Sequence, residues 1–147
     1  MSNDIHQILS EADRTKYATD AGTHMHIQLG RIVISDQGHK GDGGLIEKIL
    51  QNPILIKLFS PFAQTEVPIA GLVNNRFVSR RIDRLLVDNQ NKTVWILDYK
   101  TDVNRDVFID VYRNQLQEYA KLMQQIYPDY SIEKYILWTH NWVLESV

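Results

Sequence analysis

The sequence contains no cysteine. Disulfides, thiolate zinc sites, iron–sulfur clusters and a catalytic thiol are all excluded. No apolar run approaches the roughly 18 residues of a membrane span. The first residues, Met-Ser-Asn-Asp-Ile-His, have neither the positive start nor the apolar stretch of a secretory signal. The expected address is the cytoplasm, with no membrane partner. Proline and glycine are sparse, at 4 and 7 residues of 147, and there is no repeat. That excludes collagen-like and low-complexity chains. A strong basic balance is also missing: 16 Lys and Arg face 18 Asp and Glu, for a net charge of −2. Bulk positive charge therefore does not define the partner. What is present is an ordinary globular mixture, 44% hydrophobic and 23% charged. The length suits one domain with one real core, spanning residues 1–147.

Glycine concentrates in residues 36–44, Asp-Gln-Gly-His-Lys-Gly-Asp-Gly-Gly, which read as an exposed loop. The G-x-x-x-x-G-K-[ST] spacing of a phosphate-binding loop is missing, so a nucleotide-driven motor is rejected. Upstream, Ser10-Glu11-Ala12-Asp13 has the form of a capping box and predicts a helix over 11–32, with Ala18, Gly22, Met25 and Leu29 as its stripe. Residues 45–59 read as helical, with Pro53 interrupting near the middle. After Pro61 the pattern changes to short Val-, Ile- and Leu-rich runs at 66–73, 77–87 and 93–100, separated by Asn74-Asn75 and by 88–92. These predict a three-strand antiparallel meander. Val94-Trp95-Ile96-Leu97 is apolar on both faces, as in a strand covered on both sides. A long amphipathic helix over 105–127 follows, with Val107, Val111, Leu116, Tyr119, Met123 and Ile126 as its stripe and Pro128 just beyond. Residues 132–139 read as a strand, and 141–147 as another or as a frayed end. The expected fold is α/β (α+β): a central mixed sheet led by the meander and flanked by helices.

The chemistry concentrates in two strands. Period-two alternation puts Asp98 and Lys100 on one face where the apolar run 94–97 ends. Asp83 is a second carboxylate inside an apolar stretch. In a hairpin turning at 88–92, Asp83 and Asp98 are nearly equidistant from the turn and so nearly opposite. Opposed carboxylates repel, and a divalent cation between them removes the repulsion; oxygen donors suit Mg²⁺ or Mn²⁺. Arg76, Arg80, Arg81 and Arg84 fall within nine residues with Asp83 as the only acid among them. Such a stripe suits a phosphate-bearing partner or, more plainly, a solvated strand face.

With those residues in view, the chain resembles the RecB-family nuclease domains of the PD-(D/E)XK superfamily. Gly22-Thr23-His24-Met25-His26 matches the family's G-T-x-x-H, Glu66-Val67-Pro68 its E-x-P strand and Arg81-Ile82-Asp83 its R-I-D. Asp98-Tyr99-Lys100-Thr101 matches D-Y-K-T, and Gln115-Leu116-Gln117-Glu118-Tyr119 matches Q-x-x-x-Y. Each motif is weak alone. The five occur in the family's order across about two-thirds of the chain.

The resemblance implies a restriction-endonuclease-like core. It also implies divalent-metal-dependent hydrolysis of DNA, of exonuclease type, in repair or recombination. Its implied metal ligands are His26, Asp83, Asp98 and the carbonyl of Tyr99, for Mg²⁺ or Mn²⁺. Lys100 is the implied catalytic lysine, with Glu66 beside it as a ligand-orienting, second-metal or basic-residue-contacting group. Gln115, Tyr119 and Arg81 are implied to support the site or touch DNA. Lys100 beside a carboxylate is expected to position and neutralise rather than abstract a proton. The family's iron–sulfur subgroup is out. A helicase domain or subunit is an implied partner, since many relatives end helicase chains, and a free-standing nuclease and an excised domain are both open. The alternatives are a catalytically silent DNA- or protein-binding domain on the same fold and an interaction module whose acids form surface ion pairs. A zinc hydrolase built on His24-x-His26 is weaker, because helical ligands favour i, i+4.

Overall fold

The structure is a computed structural model and describes residues 20–147. Ser10–Asp13 and the first half of the expected leading helix lie outside the described residues. Among the described residues three helices come first: α1 (Asp20–Gly30), α2 (Gly43–Leu50) and α3 (Pro53–Leu58). Then come β1 (Gln64–Val73), β2 (Arg76–Asp88), β3 (Thr93–Lys100), α4 (Arg105–Ile126), β4 (Ser131–Trp138) and β5 (Val143–Ser146). The sheet has five strands in sequence order, antiparallel except for the parallel pair β3–β4, which α4 connects. It is a mixed α/β sheet with the expected leading meander. Among the described residues no helix is long and apolar enough to cross a membrane.

Local chemistry explains the boundaries. Asn52 caps α3 by accepting from the Ile54 and Leu55 amides, and Pro53 takes the first helical turn, where its missing N–H is harmless. The interruption expected at Pro53 is therefore a clean break between two helices. Gly43 and Gly44 open α2 behind the Asp42 cap, a correction to the longer loop expected there. Gly41, at φ 118, lies where a Cβ would come within 2.7 Å of the Ile32 side chain. Asn74 and Asn75 both have positive φ, as a two-residue hairpin turn of this hand requires.

Helices cover both faces of the sheet. Ile69, Val78, Ile82, Val94 and Ile96 pack with Tyr112, Leu116, Tyr119 and Met123 of α4. On the other face Leu86, Leu97 and Tyr99 pack with Leu29, Leu45, Ile49, Leu55 and Leu58. The even positions of β3 thus face α4 and the odd ones face α1–α3. Two residues of the expected α4 stripe differ: Val107 is 61% and Ile126 59% exposed. At 3.6 residues per turn, Val107 lies half a revolution from Leu116, and Ile126 ends the helix beyond the core.

Arg84 ties the second core together from inside. It is 1% exposed. Its guanidinium donates to the carbonyls of Leu29 (2.8 Å), Ile32 (3.2 Å) and Leu58 (3.3 Å) and to the Tyr99 hydroxyl (2.9 Å), and stacks on Phe59. Arg84→Met should lower unfolding free energy by about 3 kcal/mol, because those acceptors lose a charged donor without water to replace it. The urea midpoint checks this.

At the far end Arg105 grips Glu145 through two bonds (2.7 and 2.5 Å), and Trp138 Nε1 adds a third at 3.0 Å. The Arg105 bond chiefly holds the Glu145 carboxyl below its ordinary range. A depressed carboxylate stabilises the fold above its unfolded-state value and loses that contribution as pH falls through the folded one. Glu145→Gln should therefore lower the thermal midpoint at pH 7, by an amount that shrinks as the pH falls below the ordinary carboxylate range, as a melting series across pH would read.

Candidate active site

Asp83 stands where β2 stops alternating. Arg80 reaches Glu118 on the α4 side, and Ile82 packs in the α4 core. Asp83 then turns to His26 on α1, and its neighbour Arg84 also turns to the α1 side. Two consecutive side chains on one side break the strand's period of two. The partner strand shows the same disturbance. Ladder pairs run Thr65↔Arg84 and then Val67↔Ile82, omitting Glu66 and Asp83, and Glu66 has φ 53. Pairing of β2 with β3 begins at Arg84↔Leu97, so Asp83 and Asp98 are the next residues outward on neighbouring strands. They are neighbours along the hairpin, as the turn predicts, but on opposite faces: Asp83 turns to α1 and Asp98, with Lys100, to α4.

Around that point the side chains form two linked groups. The Asp83 carboxylate accepts from the Tyr99 amide at 2.8 Å and lies 3.4 Å from His26 Nε2. His26 Nδ1 is 2.9 Å from the Gly22 carbonyl. A carbonyl only accepts, so Nδ1 donates to it, which turns Nε2 toward Asp83. The Tyr99 ring meets His26 edge to face, 5.3 Å between centroids. The second group centres on Lys100. Its ammonium lies 2.7 Å from the Asp98 carboxylate, 2.8 Å from Gln115 Oε1 and 3.9 Å above the centre of the Tyr112 ring. Gln115 Nε2 donates to the Tyr119 hydroxyl at 2.9 Å, which reaches the Arg81 carbonyl at 3.3 Å.

All of these side chains are buried. Asp98 and Lys100 are 0% exposed, Asp83, Gln115 and Tyr119 1%, and His26 4%. A buried ammonium is tolerable only with a carboxylate and further dipoles around it, and Asp98, Gln115 and the Tyr112 face supply them. Helical spacing explains how one element delivers three of the parts: Tyr112, Gln115 and Tyr119 recur at i, i+3 and i+7 on one face of α4.

The end of β3 therefore joins two groups, His26, Asp83 and Tyr99 on the α1 side and Asp98, Lys100, Gln115 and Tyr119 on the α4 side, linked through the Tyr99 amide. Gln115 and Tyr119 support Lys100 from within and present no surface for a strand of DNA. Glu66 stands outside both groups, exposed and 3.5 Å from Arg81 across the hairpin. Of the arginines considered as phosphate contacts, Arg84 is wholly internal, a correction with a plain cause: backbone carbonyls saturate its guanidinium. Arg80 turns inward to Glu118 at 3.4 Å, while the Arg81 side chain remains 63% exposed. Tyr112 shares the Gln115 face of α4, but its part in the site is a contact with the Lys100 ammonium across elements, which spacing along the helix does not disclose. Glu118 was visible only as a motif filler.

Among the described residues no three His, Asp or Glu side chains form a ready-made metal cage. The donor set still fits a hard divalent cation. An imidazole anchored through its other nitrogen on a carbonyl is the usual arrangement of a ligating histidine. Mg²⁺ commonly takes one or two carboxylates and fills its shell with water and phosphate oxygens. Comparison with known families finds none that matches the chain, and none of the curated proteins matches it.

If His26 and Asp83 hold such an ion, Asp83→Asn should weaken Mn²⁺ binding by at least about tenfold. Titration calorimetry gives the affinity, and an unchanged isotherm would remove Asp83 from the ligand set.

Proposed function

We propose that this chain is a divalent-metal-dependent deoxyribonuclease domain with a restriction-endonuclease-like core, of the RecB-like kind. The observation that carries this reading is the bond from the Tyr99 amide to Asp83, which sets the His26–Asp83 pair beside the end of β3 that carries Asp98 and Lys100. A lysine and two carboxylates on neighbouring strands, with a histidine from a packed helix, supply what phosphodiester hydrolysis asks for. Uncatalysed hydrolysis is extremely slow, so large electrostatic help is required.

The residues divide that work by their environments. Asp83, fixed by the Tyr99 amide, and His26, fixed by Gly22, would hold a Mg²⁺ or Mn²⁺ ion together with Asp98 and the carbonyl of Tyr99. The chemistry supplied by such an ion when bound is stabilisation of negative charge and a lowered pKa for water. Lys100 keeps its charge through Asp98 and meets the charge that develops on the phosphate. Gln115 and Tyr112 keep the ammonium from swinging, so its position is set before substrate arrives. Pre-set donors cost no reorganisation at the moment of reaction. DNA is the proposed substrate, and a helicase domain or subunit a proposed partner.

A second reading has its own support. Lys100 is 0% exposed and its partners enclose it, an arrangement that also suits a catalytically silent domain binding DNA or a protein on the same fold. Incubation with single- and double-stranded DNA in Mg²⁺ or Mn²⁺ separates the two. Cleavage by the natural chain, lowered by at least about a hundredfold in Asp98→Asn and in Lys100→Met at a temperature where circular dichroism shows each variant folded despite its lowered melting point, is the expected result. Equal rates in the folded variants would sink the assignment, and no cleavage at all would favour the silent domain.

A further inference from the structure

Lys100 is held at both of its ends. Its carbonyl accepts from the Thr139 amide at 2.9 Å and from the Thr139 hydroxyl at 3.3 Å. Its ammonium meets Asp98, Gln115 and the face of the Tyr112 ring. A flexible aliphatic stem lies between, so the ammonium stands where its partners put it. Asp98 comes from the same strand. The other two come from α4, and each is secured on its far side. Gln115 is fixed through the Tyr119 hydroxyl to the Arg81 carbonyl. Tyr112 is fixed by Asp102: its hydroxyl donates to the Asp102 carboxylate at 2.5 Å.

Asp102 is half-buried on the segment that leaves β3 for α4, just past the Asp98-Tyr99-Lys100-Thr101 motif. Lys100 and Asp102 therefore take hold of one ring from a single short piece of backbone. The ammonium lies 3.9 Å above the ring centre, and the carboxylate holds the hydroxyl at its tip. Packing alone does not fix that tip. Phe108 stacks on the ring at 5.8 Å and Trp138 tilts against it at 5.9 Å. Apolar contacts of this kind are non-directional, whereas a hydrogen bond to a carboxylate is directional and strong. A carboxylate at the hydroxyl also enriches the ring face in electron density, which favours a cation above it.

We propose that Asp102 is a positioning residue for Lys100, acting through the Tyr112 ring. Its bond to the hydroxyl sets the place of the ring, and the ring sets how far the ammonium reaches toward α4. This deepens the nuclease reading and rests on it for the chemistry that Lys100 performs.

The test uses the 147-residue chain grown with isotope-labelled lysine. An aromatic ring shifts the resonances of protons above its face upfield, so the Lys100 methylene next to the nitrogen reports where the ammonium stands. Lys48 and Lys57 also lie over rings, and Lys100→Met identifies the right signal by removing it. That signal should lie upfield in the natural chain. It should move back toward the position of free lysine in Asp102→Ala and, by a similar amount, in Tyr112→Phe, which keeps the ring and its packing. The double variant should shift no further, because both changes cut one bond. With Mg²⁺ and DNA, either variant should lose roughly tenfold in kcat at unchanged KM, the mark of a group that serves the reacting centre and not substrate binding. A bond that merely pins the loop would lower the melting temperature and leave both the signal and kcat in place. A Lys100 signal unmoved in Asp102→Ala and Tyr112→Phe overturns the proposal. So does a signal already at the free-lysine position in the natural chain, or a moved signal with kcat unchanged in a chain that cleaves. A natural chain that does not cleave removes the nuclease and leaves the signal to decide the positioning. Cleavage with an unmoved signal removes only the positioning.

Discussion

A charged lysine with no access to water dictates much of this molecule. The Lys100 ammonium can be buried only because Asp98 stands two residues earlier on the same strand and α4 brings up a carbonyl oxygen and an aromatic face. Each of those partners sets a demand on the fold. β3 must be covered, α4 must lie across its end, and the helix must turn Tyr112 and Gln115 inward together. The two packed cores on either side of the sheet meet these demands, and they keep the surroundings dry enough for the pair to interact strongly. Removing Asp98 alone would leave an unbalanced charge inside, which is more disruptive than removing both groups.

The irregularity of β2 complements this. A strand that alternated regularly through Asp83 could not send both Asp83 and Arg84 toward α1. The break lets one residue address the histidine while the next braces the helices that carry it. Arg84 and Asp83 are thus neighbours with different tasks. The arginine holds α1 and α3 in place through their carbonyls, and that placement fixes where His26 can be. Electrostatics at the site and packing of the helices are joined through one residue boundary.

Much of this was readable before any coordinates. The three-strand meander is legible in period-two runs and asparagine-rich turns, and the hairpin count makes Asp83 and Asp98 neighbours along the strands; it does not show that the break in β2 sends them to opposite faces. Pro53 marked the division of α2 from α3. Other features were invisible for physical reasons. Hydrophobic spacing on α4 could not tell that Val107 faces away, because an isolated valine is compatible with either side of a helix. The arginine cluster looked like one stripe, yet Arg80, Arg81 and Arg84 meet three different environments once β2 loses its phase. A left-handed residue such as Glu66 leaves no pattern in a sequence at all. The support given by Tyr112 depends on a ring face meeting an ammonium from a strand twelve residues earlier, which no local period encodes.

The parallel pairing of β3 with β4 has a consequence in time. Antiparallel neighbours in this sheet can zip up from a tight turn, but β4 reaches β3 only after the whole of α4 has been laid down. The Thr139 amide then bonds the Lys100 carbonyl at 2.9 Å. Distant partners of this kind form late and slowly. The backbone of Lys100 is therefore fixed on both sides only after α4 has folded back and β4 has docked beside β3.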